Sequence, residues 1–200
     1  VIGISFLSLS SFSQVTADFT PSSTEGCSPL VVIFENNSTG SGTLTYNWDL
    51  GNGNNSSLED PLATYDEPGV YNVILTVTNG TDSDSQSVTI TVFASPVAGI
   101  TADDTAGCAP FEVQFTDNSI AGDGTITEWH WDLSGGVSST ISNPTATYNE
   151  GSFTISLEVI DDNGCSDFIE LTDYISVTEA PFADFSATQL SGCNPFNAEF

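Results

Sequence analysis

Apolar and polar residues alternate along this chain in short runs, and the runs return. In Tyr71-Asn72-Val73-Ile74-Leu75-Thr76-Val77, the positions Tyr71, Val73, Leu75 and Val77 fall on one face; Phe153, Ile155, Leu157 and Val159 repeat the arrangement. Period two, rich in β-branched and aromatic residues, marks a half-buried strand. The same alternation runs through Val88, Ile90 and Val92, and through Ile175 and Val177. It appears again in Leu30, Val32, Phe34, in Phe111, Val113, Phe115 and in Phe196, Ala198, Phe200. Clusters such as Gly51-Asn52-Gly53-Asn54-Asn55 and Asp161-Asp162-Asn163-Gly164 supply turns, and no segment sustains a helical period with caps. About seven short strands at regular spacing predict an antiparallel β-sandwich, so the fold class is all-β.

Each alternating block belongs to a repeat. Gly26-Cys27-Ser28-Pro29 returns as Gly107-Cys108-Ala109-Pro110 and as Gly192-Cys193-Asn194-Pro195, with the cysteines 81 and then 85 residues apart. Trp48-Asp49-Leu50 returns as Trp131-Asp132-Leu133, and Tyr65 as Tyr148. A period of that length is a small domain rather than a solenoid turn. Tyr46-Asn47-Trp48 and Trp129-His130-Trp131 each place two aromatics on one face. Trp48 and Trp131, together with Tyr65, Tyr148, Tyr71 and Phe153, are expected to fill the space between two sheets. The competing reading for these paired aromatics, stronger for Tyr46 and Trp129 than for Trp48 and Trp131, is an exposed platform for sugar rings. Pro96 and Pro181 stiffen the short joints between copies, so a semi-rigid string is expected.

Charge narrows the functions open to such a chain. Its 200 residues hold 27 Asp plus Glu and neither Lys nor Arg, for a formal net charge of −27. Nucleic acid and anionic membrane surfaces are thereby excluded as partners, because there is no cation to displace their counterions. Metal ions are the strong positive charges left to such a chain. The apolar run Val1 to Leu9, followed by Ser11, Phe12 and Ser13, reads as the remnant of a signal peptide over residues 1–13, cleaved before Gln14. The protein is therefore expected to be secreted or displayed at the cell surface, and the sequence to be part of something longer.

Copy by copy, Gly-Cys-x-Pro, Trp48-Asp49-Leu50-Gly51-Asn52-Gly53, Tyr65 and Gly69-Val70-Tyr71-Asn72-Val73 resemble the polycystic-kidney-disease (PKD) domain. The second copy departs at Leu133-Ser134-Gly135-Gly136. The resemblance covers about residues 15–93 and 95–179, with a third copy beginning near 182. It implies tandem immunoglobulin-like β-sandwiches of the cysteine-containing kind found in secreted and surface proteins of Bacteroidetes-type bacteria. It also implies extracellular spacing, adhesion or glycan contact, and no reaction.

Four cysteines permit three complete pairings. Cys27, Cys108 and Cys193 share one site in successive copies, whereas Cys165 stands outside the repeat, in the turn where the first copy has Asn79-Gly80-Thr81-Asp82. This predicts a disulfide between Cys108 and Cys165 within the second domain. A loop of roughly 58 residues would then contribute about 4 kcal/mol in the chain-entropy model. Cys193 is expected to pair beyond Phe200, and Cys27 to be free and buried or paired between molecules.

Catalytic residues are not expected. One histidine, His130, with no Lys and no Gly-x-Ser-x-Gly, does not make a nucleophile, base and orienting acid. The carboxylates fall in turns of a small sandwich without an evident cleft, against a glycosidase pair. No cofactor is assigned, and calcium is the alternative: Asp103, Asp104, Asp161 and Asp162 are the candidate ligands, with Asp82, Asp84, Asp49 and Asn52 behind them. None follows EF-hand spacing. The leading expectation is a non-catalytic spacer or adhesion region of a larger secreted or surface bacterial protein. Its partners would be neighbouring copies in the chain and an unidentified surface protein or glycan. The alternative is a set of carbohydrate-binding accessory modules of a secreted hydrolase.

Overall fold

The protein is described from a computed structural model, which covers residues 14–184; the signal-peptide reading and most of the third copy, Cys193 included, lie outside these described residues. Every regular element among the described residues is a strand. The first repeat contributes β1 (Phe19–Pro21), β2 (Glu25–Cys27), β3 (Leu30–Asn36), β4 (Thr45–Asp49), β5 (Asn55–Ser56), β6 (Leu62–Tyr65), β7 (Gly69–Thr78) and β8 (Ser83–Phe93). The second contributes β9 (Ile100–Ala102), β10 (Ala106–Cys108), β11 (Phe111–Asp117), β12 (Ile126–Asp132), β13 (Ser138–Ser139), β14 (Thr145–Tyr148), β15 (Gly151–Asp161) and β16 (Ser166–Thr178).

Each repeat builds the same two layers. The first has a three-stranded sheet ordered β1-β3-β6 and a five-stranded sheet ordered β2-β8-β7-β4-β5. The second has β9-β11-β14 and β10-β16-β15-β12-β13. Two antiparallel-rich sheets closing over one core is the immunoglobulin-like sandwich. In each copy the short Cys-bearing strand runs parallel to the last strand: Cys27 sits opposite Phe93, and Cys108 opposite Thr178. The Ser28-Pro29 and Ala109-Pro110 peptides that follow are both cis.

The alternation read from the sequence is the burial pattern of the strands. Val73, Leu75 and Val77 on β7 are fully buried while their neighbours are more accessible, and Ile155, Leu157 and Val159 repeat this on β15. Trp48 and Trp131 lie between the layers at 0% and 2% exposure. Trp48 meets Phe19 edge-on at 4.9 Å and Phe34 at 5.6 Å, whereas Trp131 meets Phe115 at 5.9 Å. Tyr65 and Tyr148 are buried, each against a half-buried ring, Tyr71 at 4.5 Å and Phe153 at 4.6 Å. Their hydroxyls donate to Leu50 O and Leu133 O, both at 2.9 Å. Tyr46 is partly buried against the first core, and Trp129 is half-buried.

By contacts the chain divides into two compact units that do not follow the repeats. Among the described residues, one comprises residues 14–99 with Ser119–Trp129 and Glu158–Phe168; the other comprises Ile100–Asn118 with His130–Leu157 and residues 169–184. The first unit thus holds the whole first sandwich together with two segments of the second repeat, each a turn with the ends of the strands beside it.

Candidate functional site

Within that first unit, the joint after β8 is built from backbone and small residues. Ala94 N donates to Asp123 Oδ2 at 2.7 Å, and Asp123 N donates back to Ala94 O at 3.1 Å. A Cβ added at Gly122 would lie 2.1 Å from Ala94 O, so only glycine admits this approach. Thr125 N donates to Asp162 Oδ1 at 2.8 Å and Asp162 N to Thr125 O at 3.0 Å, which fastens the β15–β16 turn to the same loop. Inside the turn, Asp161 Oδ1 accepts from Asn163 N at 3.0 Å and from Cys165 N at 2.8 Å. An Asp accepting from the backbone just downstream pre-sets a tight turn. Asp161 is buried, and its Oδ2 has no hydrogen-bond partner among the described residues.

These contacts bring Cys165 to Cys27. The two form a disulfide, with S–S at 2.08 Å, Cα atoms 5.5 Å apart and a sequence separation of 138. The expected pairing of Cys108 with Cys165 is therefore wrong: Cys165 is bonded to Cys27, and Cys108 is an exposed free thiol. The register supplies the reason. Cys108 lies opposite Thr178 at the end of β16, and Cys165 immediately precedes the start of the same 13-residue strand. At about 3.3 Å per residue the two ends are on the order of 40 Å apart. A disulfide needs Cα atoms within about 7 Å. Cys27 is half-buried and bonded, neither free nor paired between molecules.

The candidate calcium ligands are mostly engaged in holding backbone. Asp103 Oδ1 accepts from Asp104 N and from Gln114 N, both at 2.9 Å, and Asp104 Oδ1 accepts from Thr105 N at 2.9 Å. Asp49 Oδ1 takes Gly51 N at 3.0 Å, Asn52 Oδ1 takes Asn54 N at 3.1 Å, and Asp84 Oδ2 takes Ala17 N at 2.9 Å. Asp82 contributes its backbone carbonyl, which accepts from Asn79 N and from the Thr78 hydroxyl. Asp103 and Asp104 precede β10, whereas Asp161 and Asp162 sit at the β15–β16 turn, so the four are not brought together. Among the described residues, no group of three or more His, Cys, Asp or Glu side chains is placed to hold a metal ion. His130 is exposed on β12. A shallow depression of about 550 Å³ on the first repeat is lined by residues such as Leu58, Asp60, Pro61 and Leu62. Asp60 is occupied there by Asn36 N at 2.9 Å.

Burial acts on the two core tyrosines. Both phenols are pushed up to about 12, mainly because burial disfavours the phenolate; the charge of Tyr71 adds to this for Tyr65 and that of Asp132 for Tyr148.

Two copies of one sandwich, each with a sealed aromatic core and turns capped by carboxylates, define tandem immunoglobulin-like modules. The PKD domain family model matches residues 14–94 and 93–177, and the chain belongs to that family. Among solved structures, it is similar to the PKD1 domain of the Vibrio cholerae metalloprotease PrtV. That match has 31% identity and a TM-score of 0.36, and covers 41% of this chain and 98% of that one. The PKD1 domain of Vibrio anguillarum Epp matches at 27% identity and a TM-score of 0.37, covering 42% and 96%. A carbohydrate-binding module of the β-sandwich superfamily matches at 22% identity and a TM-score of 0.40, covering 72% and 58%. PKD domains are generally non-catalytic modules. No helix among the described residues is long and apolar enough to cross a membrane.

Sequence reasoning missed the bond from Cys27 to Cys165 and the roles of Gly122 and Asp123. A signal for the first was available: Cys27 is in the repeated motif and Cys165 is not, which suits a bond from one copy to the next.

Proposed function

We propose that this chain is a non-catalytic spacer or adhesion segment of a larger protein that works outside the cell. The observation that carries this reading is the Cys27–Cys165 disulfide between tandem copies of one sandwich. Disulfides persist in oxidising compartments and are rare in the cytosol. The bond closes a covalent loop that runs from the Cys-bearing strand of the first repeat through the joint to the β15–β16 turn of the second. The burial of Trp48 and Trp131 between the layers, with Tyr46 and Trp129 half-buried, supports spacing over sugar binding. The acidic, Lys- and Arg-free surface supports solubility in a salty exterior and argues against nucleic acid.

The test has two arms. Antibody raised against residues 14–179 is expected to label intact cells or the culture medium of the source organism. The same fragment on a glycan array is expected to give no saturable binding. Retention of the antigen inside cells would overturn the extracellular role, and saturable glycan binding would establish the accessory carbohydrate-binding reading instead.

A further inference from the structure

Cys27 and Cys108 are one position in two copies, and the agreement extends to the backbone around them. Cys27 closes β2 opposite Phe93, the last residue of β8, and Ser28 N donates to Phe93 O at 3.0 Å. Cys108 closes β10 opposite Thr178, the last residue of β16, and Ala109 N donates to Thr178 O at 2.9 Å. One turn of chain earlier, Thr91 N donates to Thr24 O and Ser176 N to Thr105 O, both at 2.9 Å. Each cysteine therefore sits where its sandwich hands the chain to whatever follows. At the first of these sites the next copy presents Cys165, and the bond is made. At the second, the thiol is exposed and has Thr178 Oγ1 at 3.6 Å.

From this equivalence we infer that Cys108 is the attachment site for a disulfide to the β15–β16-type turn of the copy that follows, so that the Gly-Cys-x-Pro cysteine of each copy bonds the turn of the next. The occupant is a third module, which the sequence opens at Ala183-Asp184-Phe185 and Gly192-Cys193-Asn194-Pro195. The turn position is that of Cys165, whose carbonyl accepts from Asp161 N as that of Asp82 accepts from Asn79 N in the first copy. A turn cysteine is thus a feature of a copy that receives a bond, and the motif cysteine of a copy that gives one. Bond formation removes a proton and an electron from each thiol. A disulfide-bearing oxidant, such as an oxidised dithiol protein or oxidised glutathione, accepts both electrons and both protons and leaves as two thiols. The inference rests on family membership and the internal repeat, and is independent of the spacer role.

The experiment inserts a further copy of residues 95–179 in frame after Glu179, leaving the rest of the chain in place. The protein is refolded in a glutathione redox buffer, alkylated without reduction, and mapped by acid-specific proteolysis and mass spectrometry. A cooperative melting transition for the inserted copy establishes that it is folded. The expected result is loss of Cys108 alkylation and a cross-linked peptide joining Cys108 to the inserted copy's turn cysteine, with Cys27–Cys165 unchanged. In the Cys108→Ser variant that turn cysteine becomes alkylated, while the inserted copy still melts cooperatively. Alkylation of both Cys108 and the inserted turn cysteine in a folded chain that retains Cys27–Cys165 would overturn the inference. So would Cys108 bonding to a second molecule instead.

Discussion

The two repeats share a frame of side-chain-to-backbone hydrogen bonds and differ in what fills it. Tyr65 and Tyr148 hold the carbonyls of Leu50 and Leu133; Asp84 and Asp167 hold Ala17 N and Ala98 N at 2.9 and 2.8 Å. Asp49 and Asp132 each accept from the backbone two residues on, at 3.0 and 2.8 Å. The first core packs Phe19, Phe34 and Trp48 together, whereas the second has Ile100 at the place of Phe19. Trp48 Nε1 donates to Leu58 O at 2.9 Å, while Trp131 Nε1 is buried with no partner among the described residues. The lesson is that the polar frame specifies the sandwich and the core is filled to fit. A strand pattern needs only apolar residues at alternate sites, but each backbone group taken out of water needs a particular partner.

The comparison can be broken most severely at the disulfide. Replacing Cys27 with Ala frees a loop set by the separation of 138, which is expected to lower stability toward global unfolding by about 5 kcal/mol in the chain-entropy model. Replacing Cys108 with Ala, at the equivalent register, is expected to leave stability within about 0.5 kcal/mol, because an exposed free side chain is removed. Denaturant titration of residues 14–179 reads both. Equal effects would mean that the two positions are not distinguished by bonding.

The next largest contrast is in the turn after the Trp-Asp-Leu motif. Gly51 has φ +75°, and an added Cβ would lie 2.8 Å from Asn72 O. Gly51→Ala is expected to cost about 2 kcal/mol, from the left-handed backbone plus the close approach. Ser134, its counterpart, already carries a side chain at φ 67°. Ser134→Ala is expected to fall within about 0.5 kcal/mol, as surface changes do. Thermal melts of the two variants compare them directly.

A smaller gap separates the tryptophans. Phe in place of Trp48 removes a hydrogen bond, whereas Phe in place of Trp131 removes a buried N–H that has no partner. Trp48→Phe is therefore expected to destabilise more than Trp131→Phe, by about 1 kcal/mol. A larger loss at Trp131 would show that its indole N–H is satisfied after all.

The smallest contrast between the repeats lies in alkali, where the two core phenols act alike. The phenols of Tyr65 and Tyr148 ionise near 12 in the folded protein and near 10 when unfolded. Because the folded values are raised, their contribution is fully present below pH 10 and is lost as pH rises toward 12. Tyr65→Phe and Tyr148→Phe should each flatten this alkaline decline and remove a late-ionising phenol from the absorbance titration at about 295 nm. A decline that both variants leave unaltered would contradict the assignment.

Much of this was legible in the chain itself. Alternation in Val73-Ile74-Leu75-Thr76-Val77 and its counterpart gave the strands, because a sheet face repeats every second residue. The duplicated Trp-Asp-Leu and Tyr65/Tyr148 placed the core, and the repeat supplied the family. The disulfide was not legible by the same route. Spacing placed Cys108 and Cys165 in one domain, but only the parallel register of β10 against the end of β16 reveals that a whole strand separates them. The joint was hidden for a similar reason. Gly122 and Asp123 look like ordinary turn residues until Ala94 is seen against them.

The bond from Cys27 to Cys165 is the point on which the account turns, and its direct test is a non-reducing peptide map of residues 14–179. Trypsin has no cleavage site in a chain without Lys or Arg, so an acid-specific protease is used after alkylation of free thiols. The account predicts one cross-linked species containing Cys27 and Cys165, together with alkylated Cys108. A species joining Cys108 to Cys165, with Cys27 alkylated, would contradict it.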